Sequence, residues 1–310
     1  MANEDTAGMT ARRPQDGEAE GAPAPARRFR AGLVQMRTGR TVESNLIEAS
    51  RLIREAVAGG AEYVQTPEIT TLMETDRARL MVETRPEEGN PAIAHFRTLA
   101  RELGVWLHVG SMGIALGGAE HKLANRSFLI TPEGRLAARY DKILMFDVNL
   151  PNGQTFRESK SYQPGRQVVI AQLPWARLGL TICYDMRFPQ LYRALAQAGA
   201  EVIAVPSSFT RPTGEAHWHT LLRSRAIETG CWILAAAQGG MHEVGRETYG
   251  HSLIVSPWGE VAAEAAGVEP GVIIADIDLT LVAEARARIP SLEHDRPFEV
   301  VHAPPTKDAQ

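Results

Sequence analysis

Residues 177–209, RLGLTICYDMRFPQLYRALAQAGAEVIAVPSSF, restrict what this chain can fold into more than any other stretch. The apolar run 178–183 reads as a fully buried strand. A polar, turn-forming group, Tyr184-Asp185-Met186-Arg187-Phe188-Pro189, follows it, and its proline suits the first turn of a helix. Leu191 and Leu195, four apart, predict that helix over 190–198, with Gly199 as its stop. A second buried run at 202–205 completes a βαβ unit, which commits the region to the α/β class. One cysteine, Cys183, therefore sits where a core strand hands over to a loop, the end at which open α/β sheets bind ligands. Taken alone, a free cysteine there is a small core hydrophobe.

The rest of the chain alternates in the same way. Strands are expected at 31–36, 61–65, 105–109, 127–131, 168–173, 232–236, 252–255 and 272–277. Helices are expected at 43–58, with Leu46, Ala49, Ile53 and Val57 on one face, at 92–103, and at 215–228. Pro132-Glu133-Gly134 and Pro257-Trp258-Gly259 look like hairpin turns between neighbouring strands. The pattern is α/β with parallel units and some antiparallel pairs. No linker-like stretch interrupts it, so residues 30–300 are read as a single domain.

The two ends differ from this body. Residues 1–29 are rich in Ala, Glu, Arg, Pro and Gly and poor in aliphatic side chains, so they are expected to form a disordered tail. They lack the apolar centre of a signal peptide, and their acidic residues argue against a transit peptide. Residues 301–310 are read as a flexible end. A net charge of −4 gives no reason to expect nucleic acid or an anionic membrane as partner. Two cysteines in 310 residues make no disulfide framework and suit a reducing cytosol, so a cytoplasmic protein is expected. No apolar run reaches the length of a bilayer span.

Several residues could carry chemistry together. Glu68 lies just beyond a buried strand, after Pro67, in the kind of position Cys183 occupies; alone, it would be a capping glutamate. Lys142, in RYDKILMF, would ordinarily snorkel to solvent. Glu158, in FRES, would ordinarily be surface. Cysteine, base, cation and orienting acid together make an acyl-transfer set. The fragment Gly110-Ser111-Met112-Gly113 is not a G-x-S-x-G elbow, and no H-E-x-x-H or C-x-x-C grouping points to a metal, so none is expected. His217 and His219 are read as packing or pocket lining, and Cys231 as core.

The segments TPE at 66–68, YDKILMFD at 140–147, FRES at 156–159 and GLTICYDMRFP at 179–189 occur in the order found in the nitrilase superfamily of carbon–nitrogen hydrolases, which this chain resembles from about residue 30 to 298. The resemblance implies a four-layer αββα sandwich that pairs into a homodimer or higher homo-oligomer, and a catalytic set of Glu68, Lys142, Cys183 and Glu158. It implies no cofactor. Cys183 is followed by Tyr184-Asp185, as in amidase branches, where nitrilases typically carry Trp-Glu. The segments 214–240 and 249–261 are similar to the Nit subgroup, which contains deaminated-glutathione amidase and omega-amidase. Ile143-Leu144-Met145 and Gly214-Glu215-Ala216 depart from that pattern near the expected pocket. The implied activity is hydrolysis of a linear carboxamide, on a small carboxylate-bearing substrate, through a Cys thioester. Tyr184, Arg187, Arg211 and Thr213 are the expected substrate contacts; Arg187 is equally readable as a structural ion pair. Two alternatives stand beside this reading: a nitrile- or N-carbamoyl-hydrolysing member of the same superfamily, and a scaffold that kept the fold without activity.

Overall fold

The structure, a computed structural model, describes residues 27–118, 121–150 and 153–302. In chain order it runs β1 (Arg28–Gln35), α1 (Val42–Ala58), β2 (Tyr63–Gln65), α2 (Arg77–Glu83), α3 (Pro91–Leu103), β3 (Trp106–Ala115), β4 (Leu123–Ile130) and β5 (Leu136–Asp141). A short hairpin of β6 (Asp147–Asn149) and β7 (Thr155–Arg157) follows. Then come β8 (Val169–Gln172), β9 (Arg177–Leu180), α4 (Pro189–Gln197), β10 (Val202–Ala204), α5 (Arg211–Thr229) and β11 (Trp232–Ala235). The described chain closes with β12 (Gly239–Met241), β13 (Glu247–Tyr249), β14 (Leu253–Val255), β15 (Val261–Glu264), β16 (Gly271–Asp278) and α6 (Thr280–Arg288).

Two six-stranded sheets carry the fold, ordered β16-β1-β2-β3-β4-β5 and β15-β14-β11-β10-β9-β8. Each has three parallel strands at its centre, β1-β2-β3 and β9-β10-β11, with antiparallel strands outside them. The period of two along a strand sorts side chains between the faces. On β1, Phe29, Ala31 and Leu33 join the cluster that fills the space between the sheets, while Val34 packs with α1 and α3 residues such as Ile53 and Phe96. On the other sheet, Leu222 and Ala226 of α5 cover strands β10 and β11. The result is a four-layer αββα sandwich.

The helices start and stop where backbone chemistry dictates. Asn90 caps α3 by accepting from the Ala92 and Ile93 N–H groups, Pro91 fills the first turn, and Gly104 at φ 65° ends it. Helix α5 begins at Arg211, four residues before the expected 215, because Pro212 pre-sets the first helical turn. Arg211 and Thr213 therefore lie on a helix and not in a loop.

The buried run expected as one strand over 178–183 is shorter: β9 ends at Leu180, although Thr181 and Cys183 still donate to Ala204 and Pro206 carbonyls at 3.2 and 3.0 Å. The two hairpin turns join β4 to β5 and β14 to β15 as expected. The expected tail falls, up to residue 26, outside the described residues, as does the C-terminal end from 303. Arg28 and Phe29 already belong to β1, since Arg28 pairs with Asp278 and Phe29 stacks on Trp175 at 5.0 Å.

The space between the sheets is partly polar. Tyr63, Gln65, His108 and Ser127 form a chain of hydrogen bonds there, Tyr63 Oη to His108 Nδ1 at 2.8 Å and His108 Nε2 to Ser127 Oγ at 2.6 Å. Burial drives the His108 pKa down to about 3, so the imidazole is neutral. Gln65 Nε2 donates across to the Leu234 carbonyl at 3.1 Å and ties one sheet to the other.

Candidate active site

Each of the four expected catalytic side chains arrives from a different strand end. Glu68 follows β2 in a turn held by Thr66 and Thr70, whose hydroxyls meet at 2.7 Å, and by the Ser111 hydroxyl, which accepts from the Ile69 N–H at 3.0 Å. Lys142 is the residue after β5, and its N–H donates to the Asn125 carbonyl on β4 at 3.0 Å. Glu158 opens a 3-10 turn after β7. Cys183 opens another, three residues beyond the end of β9.

The structure brings all four together. Lys142 Nζ lies 2.8 Å from Glu68 Oε1, 3.0 Å from Glu158 Oε1 and 2.9 Å from Glu158 Oε2. The Phe146 N–H donates to Glu158 Oε2 at 2.6 Å. The Cys183 thiol sits against Glu68 and the Ser208 backbone, both of which act on its ionisation. Lys142 and Glu68 are 2% and 4% exposed, so these charges interact with little screening by water.

Electrostatics set the resting protonation. Burial pushes the Glu68 pKa up, but the Lys142 ammonium and the hydrogen bonds outweigh it and hold the carboxylate below its usual range. Burial also works against the Lys142 charge, yet Glu158 and Glu68 keep it protonated, its pKa well above the usual one. Burial first, then the Glu68 charge, pushes the Cys183 thiol up. The site thus rests as thiol, carboxylate and ammonium, with the proton acceptor beside the proton it would receive.

Cys183 has φ 50°, a conformation that costs a non-glycine residue about 1–3 kcal/mol and persists only where the surroundings impose it. Asp185 supplies much of that constraint. This fully buried carboxylate accepts from Tyr140 Oη at 2.7 Å, the Ile182 N–H at 2.9 Å and the Leu144 N–H at 2.9 Å. It ties the nucleophile's turn to the segment on either side of Lys142.

A cavity of about 330 Å³ opens over the set, lined by Glu68, Lys142, Glu158 and Cys183 together with Phe146, Phe156, Tyr184, Phe209, Thr213 and Arg246. A larger cavity of about 580 Å³, between α4, α5 and α6, is lined by Trp258, Arg286 and Ile289 and by neither cysteine. Chemistry and not size selects the site.

Of the expected substrate contacts, Tyr184 and Thr213 line the cavity, while Arg187 and Arg211 do not. Arg187 packs 5.8 Å from the Tyr184 ring centre and 5.3 Å from that of Phe209, and faces His217 Nδ1 at 3.3 Å. Its alternative reading as an ion pair fails too, since no carboxylate among the described residues pairs with it. Arg211 binds Glu215 and Glu247 at 2.9 and 2.8 Å on the exposed start of α5.

Two site residues carry no sequence signal. Asn125 Nδ2 donates to Glu68 Oε1 at 2.9 Å and to Glu158 Oε1 at 3.2 Å, clamping the two acids. Arg246 comes from the turn between β12 and β13. Nothing in the spacing of Arg246 points at the pocket.

Away from the cavity, His219 Nε2 and His251 Nδ1 both meet Glu264 Oε1, at 2.8 and 3.0 Å. This is one grouping among the described residues with metal-ligand chemistry, its ligand atoms within 4.8 Å of one another. Each imidazole already has the carboxylate as partner, and Tyr249 stacks on His251 at 4.5 Å.

The αββα sandwich thus brings a buried thiol, carboxylate and ammonium together at its strand ends. The chain belongs to the carbon-nitrogen hydrolase family, whose model matches residues 30–287. It is therefore a hydrolase of carbon–nitrogen bonds other than peptide bonds. It is 40% identical to a deaminated glutathione amidase of Yersinia enterocolitica over 85% of this chain and 92% of that one. It is 35% identical to the human omega-amidase NIT2 over 86% of this chain and 95% of that one. The Caenorhabditis elegans NitFhit protein superposes with a TM-score of 0.81 at 33% identity, covering 87% of this chain and 65% of that one. Among the described residues no helix is long and apolar enough to cross a membrane.

Proposed function

We propose that the protein is a cofactor-free amidohydrolase that converts a linear carboxamide of a small, carboxylate-bearing substrate to acid and ammonia through a thioester on Cys183. The observation that carries this reading is that one carboxylate, Glu68, is ion-paired to Lys142 at 2.8 Å and lines the same cavity as the Cys183 thiol, whose pKa its charge raises. Glu68 takes the thiol proton as sulfur attacks the amide carbonyl. Lys142, with a backbone N–H of the turn after Cys183, stabilises the oxyanion; one such donor is worth about 3–4 kcal/mol of barrier. Glu68 then returns the proton to the departing nitrogen, ammonia leaves, and a thioester remains. Water, deprotonated by Glu68, attacks the thioester; the acid departs and the thiol is restored.

Glu158 and Asn125 hold Glu68 and Lys142 in register. Tyr184 and Thr213 form walls of the substrate site. The names of the relatives support deaminated glutathione or an omega-amide of a 2-oxo acid as the substrate. The same reading makes residues 30–300 one hydrolase domain of a cytoplasmic homodimer or higher homo-oligomer.

Intact-protein mass spectrometry during turnover of such an amide tests it. A transient acyl adduct on Cys183, absent from Cys183→Ala together with ammonia release, is the expected result. Turnover that survives in Cys183→Ala refutes the scheme.

A further inference from the structure

The cavity contains a second cation, Arg246, which no carboxylate among the described residues contacts directly, although it lies near enough to Glu68 to help lower its pKa. Arg246 lines the same wall as Cys183, Lys142 and both glutamates. Its Nη2 donates to the Ser208 carbonyl at 2.6 Å, and its guanidinium lies 5.4 Å from the Phe156 ring centre. No carboxylate among the described residues pairs with it, and its Nε is buried with no acceptor. Beside it the Ser208 hydroxyl, also lining the cavity, is buried without a partner. A buried donor left unpaired is costly, and an arginine edge is shaped to take a carboxylate through two parallel hydrogen bonds.

The charge balance points the same way. Glu68 and Glu158 set two carboxylates against the single Lys142 ammonium. That set alone would repel an anion, and Arg246 supplies the missing positive charge. Ser208 lies beside both centres: its carbonyl accepts from Arg246 at 2.6 Å, and its backbone acts on the ionisation of the Cys183 thiol.

We infer that Arg246, with the Ser208 hydroxyl, is an anion-binding subsite of the cavity that selects amides carrying a carboxylate a short distance from the scissile carbonyl. This deepens the amidase reading and rests on it for the identity of the reacting group, while the subsite itself can be probed without turnover.

The test compares kcat/KM for succinamate with that for butyramide, which keeps the chain length and lacks the carboxylate. It is run on wild type, Arg246→Met, Arg246→Lys, Ser208→Ala and Arg187→Met. Wild type is expected to prefer succinamate, and Arg246→Met to lower that preference roughly 10- to 100-fold, the span of one charge-assisted interaction, mainly through KM. Arg246→Lys should restore part of it and Ser208→Ala should lose less. In parallel, succinate binding to Cys183→Ala is measured by calorimetry with and without Arg246→Met; binding should weaken with salt and disappear with the arginine.

A wild type indifferent to the carboxylate, a preference unchanged in Arg246→Met, or a preference lost only in Arg187→Met overturns the inference. If Arg246→Met does not fold, an unaltered preference in Arg246→Lys and Ser208→Ala together overturns it as well. Succinate binding through Arg246 with no amide turned over would instead sink the amidase reading and leave the subsite standing.

Discussion

Lys142 meets Glu158 through both carboxylate oxygens, at 3.0 and 2.9 Å, and meets Glu68 through only one, at 2.8 Å. The second oxygen of Glu68 is thereby free of the ammonium, while both oxygens of Glu158 are engaged by it. Two chemically identical acids are given different work by how each is held.

Substitutions at the two ends of the ammonium should therefore differ. Glu158→Gln keeps the shape and can still accept from the Phe146 N–H, so it should stay folded. It should lose activity about 100-fold, the usual result of a small misplacement of reacting groups. Lys142→Met leaves two buried carboxylates facing each other and should lower the unfolding free energy by about 3–5 kcal/mol at pH 8. At pH 5 the loss should shrink, because a proton shared between the acids replaces the ammonium. Urea titrations at both pH values check this.

Asp185 carries its own pH signature. Burial raises its pKa to about 6, although Tyr140, Ile182 and Leu144 all donate to it. A carboxyl whose pKa is raised on folding stabilises the fold most below the ordinary aspartate value. That contribution is lost as pH rises through about 6, to the extent of roughly 3 kcal/mol. Asp185→Asn should flatten the fall in stability between pH 4 and 7. Its amide must also turn an N–H toward one of three donors, so kcat should drop more than KM rises. Thermal unfolding across that range, paired with kinetics, reads both effects.

Gly110 is the third point of leverage. A methyl group there would lie 2.0 Å from the Thr66 carbonyl, 2.6 Å from that of Pro67 and 2.5 Å from the Pro206 side chain. The first two belong to the turn carrying Glu68, and Pro206 accepts from the Cys183 N–H. Gly110→Ala should cost about 1–3 kcal/mol of stability and more activity than that loss accounts for, because it pushes base and nucleophile apart. Equal activity per folded molecule in variant and wild type would refute the link.

Much of the site was legible because nucleophile, base, cation and orienting acid each sit in a short segment beside a strand end. Asn125 was not, since an asparagine inside a strand has no local pattern and gains its role only when β4 lies beside β5. Arg246 was hidden for a similar reason: it stands in a glycine-bounded hairpin whose partner, Ser208, is 38 residues away. In the fold, the long amphipathic helices and the continuous apolar strands could be read directly. Helix α2 is only seven residues long, and α6 buries just Val282 and Ala285, so neither shows a face that periodicity can detect. The strands β6, β7, β12 and β13 have three residues each, too few for alternation to register.

Glu68 and Lys142 hang from one sheet and Cys183 from the other. The gap a proton crosses is consequently set by the spacing of two stacked layers, roughly 10 Å between their backbones. Side chains with no chemistry of their own, Ala31, Leu33, Leu178 and Leu180 among them, fill that space. They act as the shims of an instrument: the interior of this protein calibrates its reaction, and a change of one methyl group far from the thiol alters the stroke length of the catalyst.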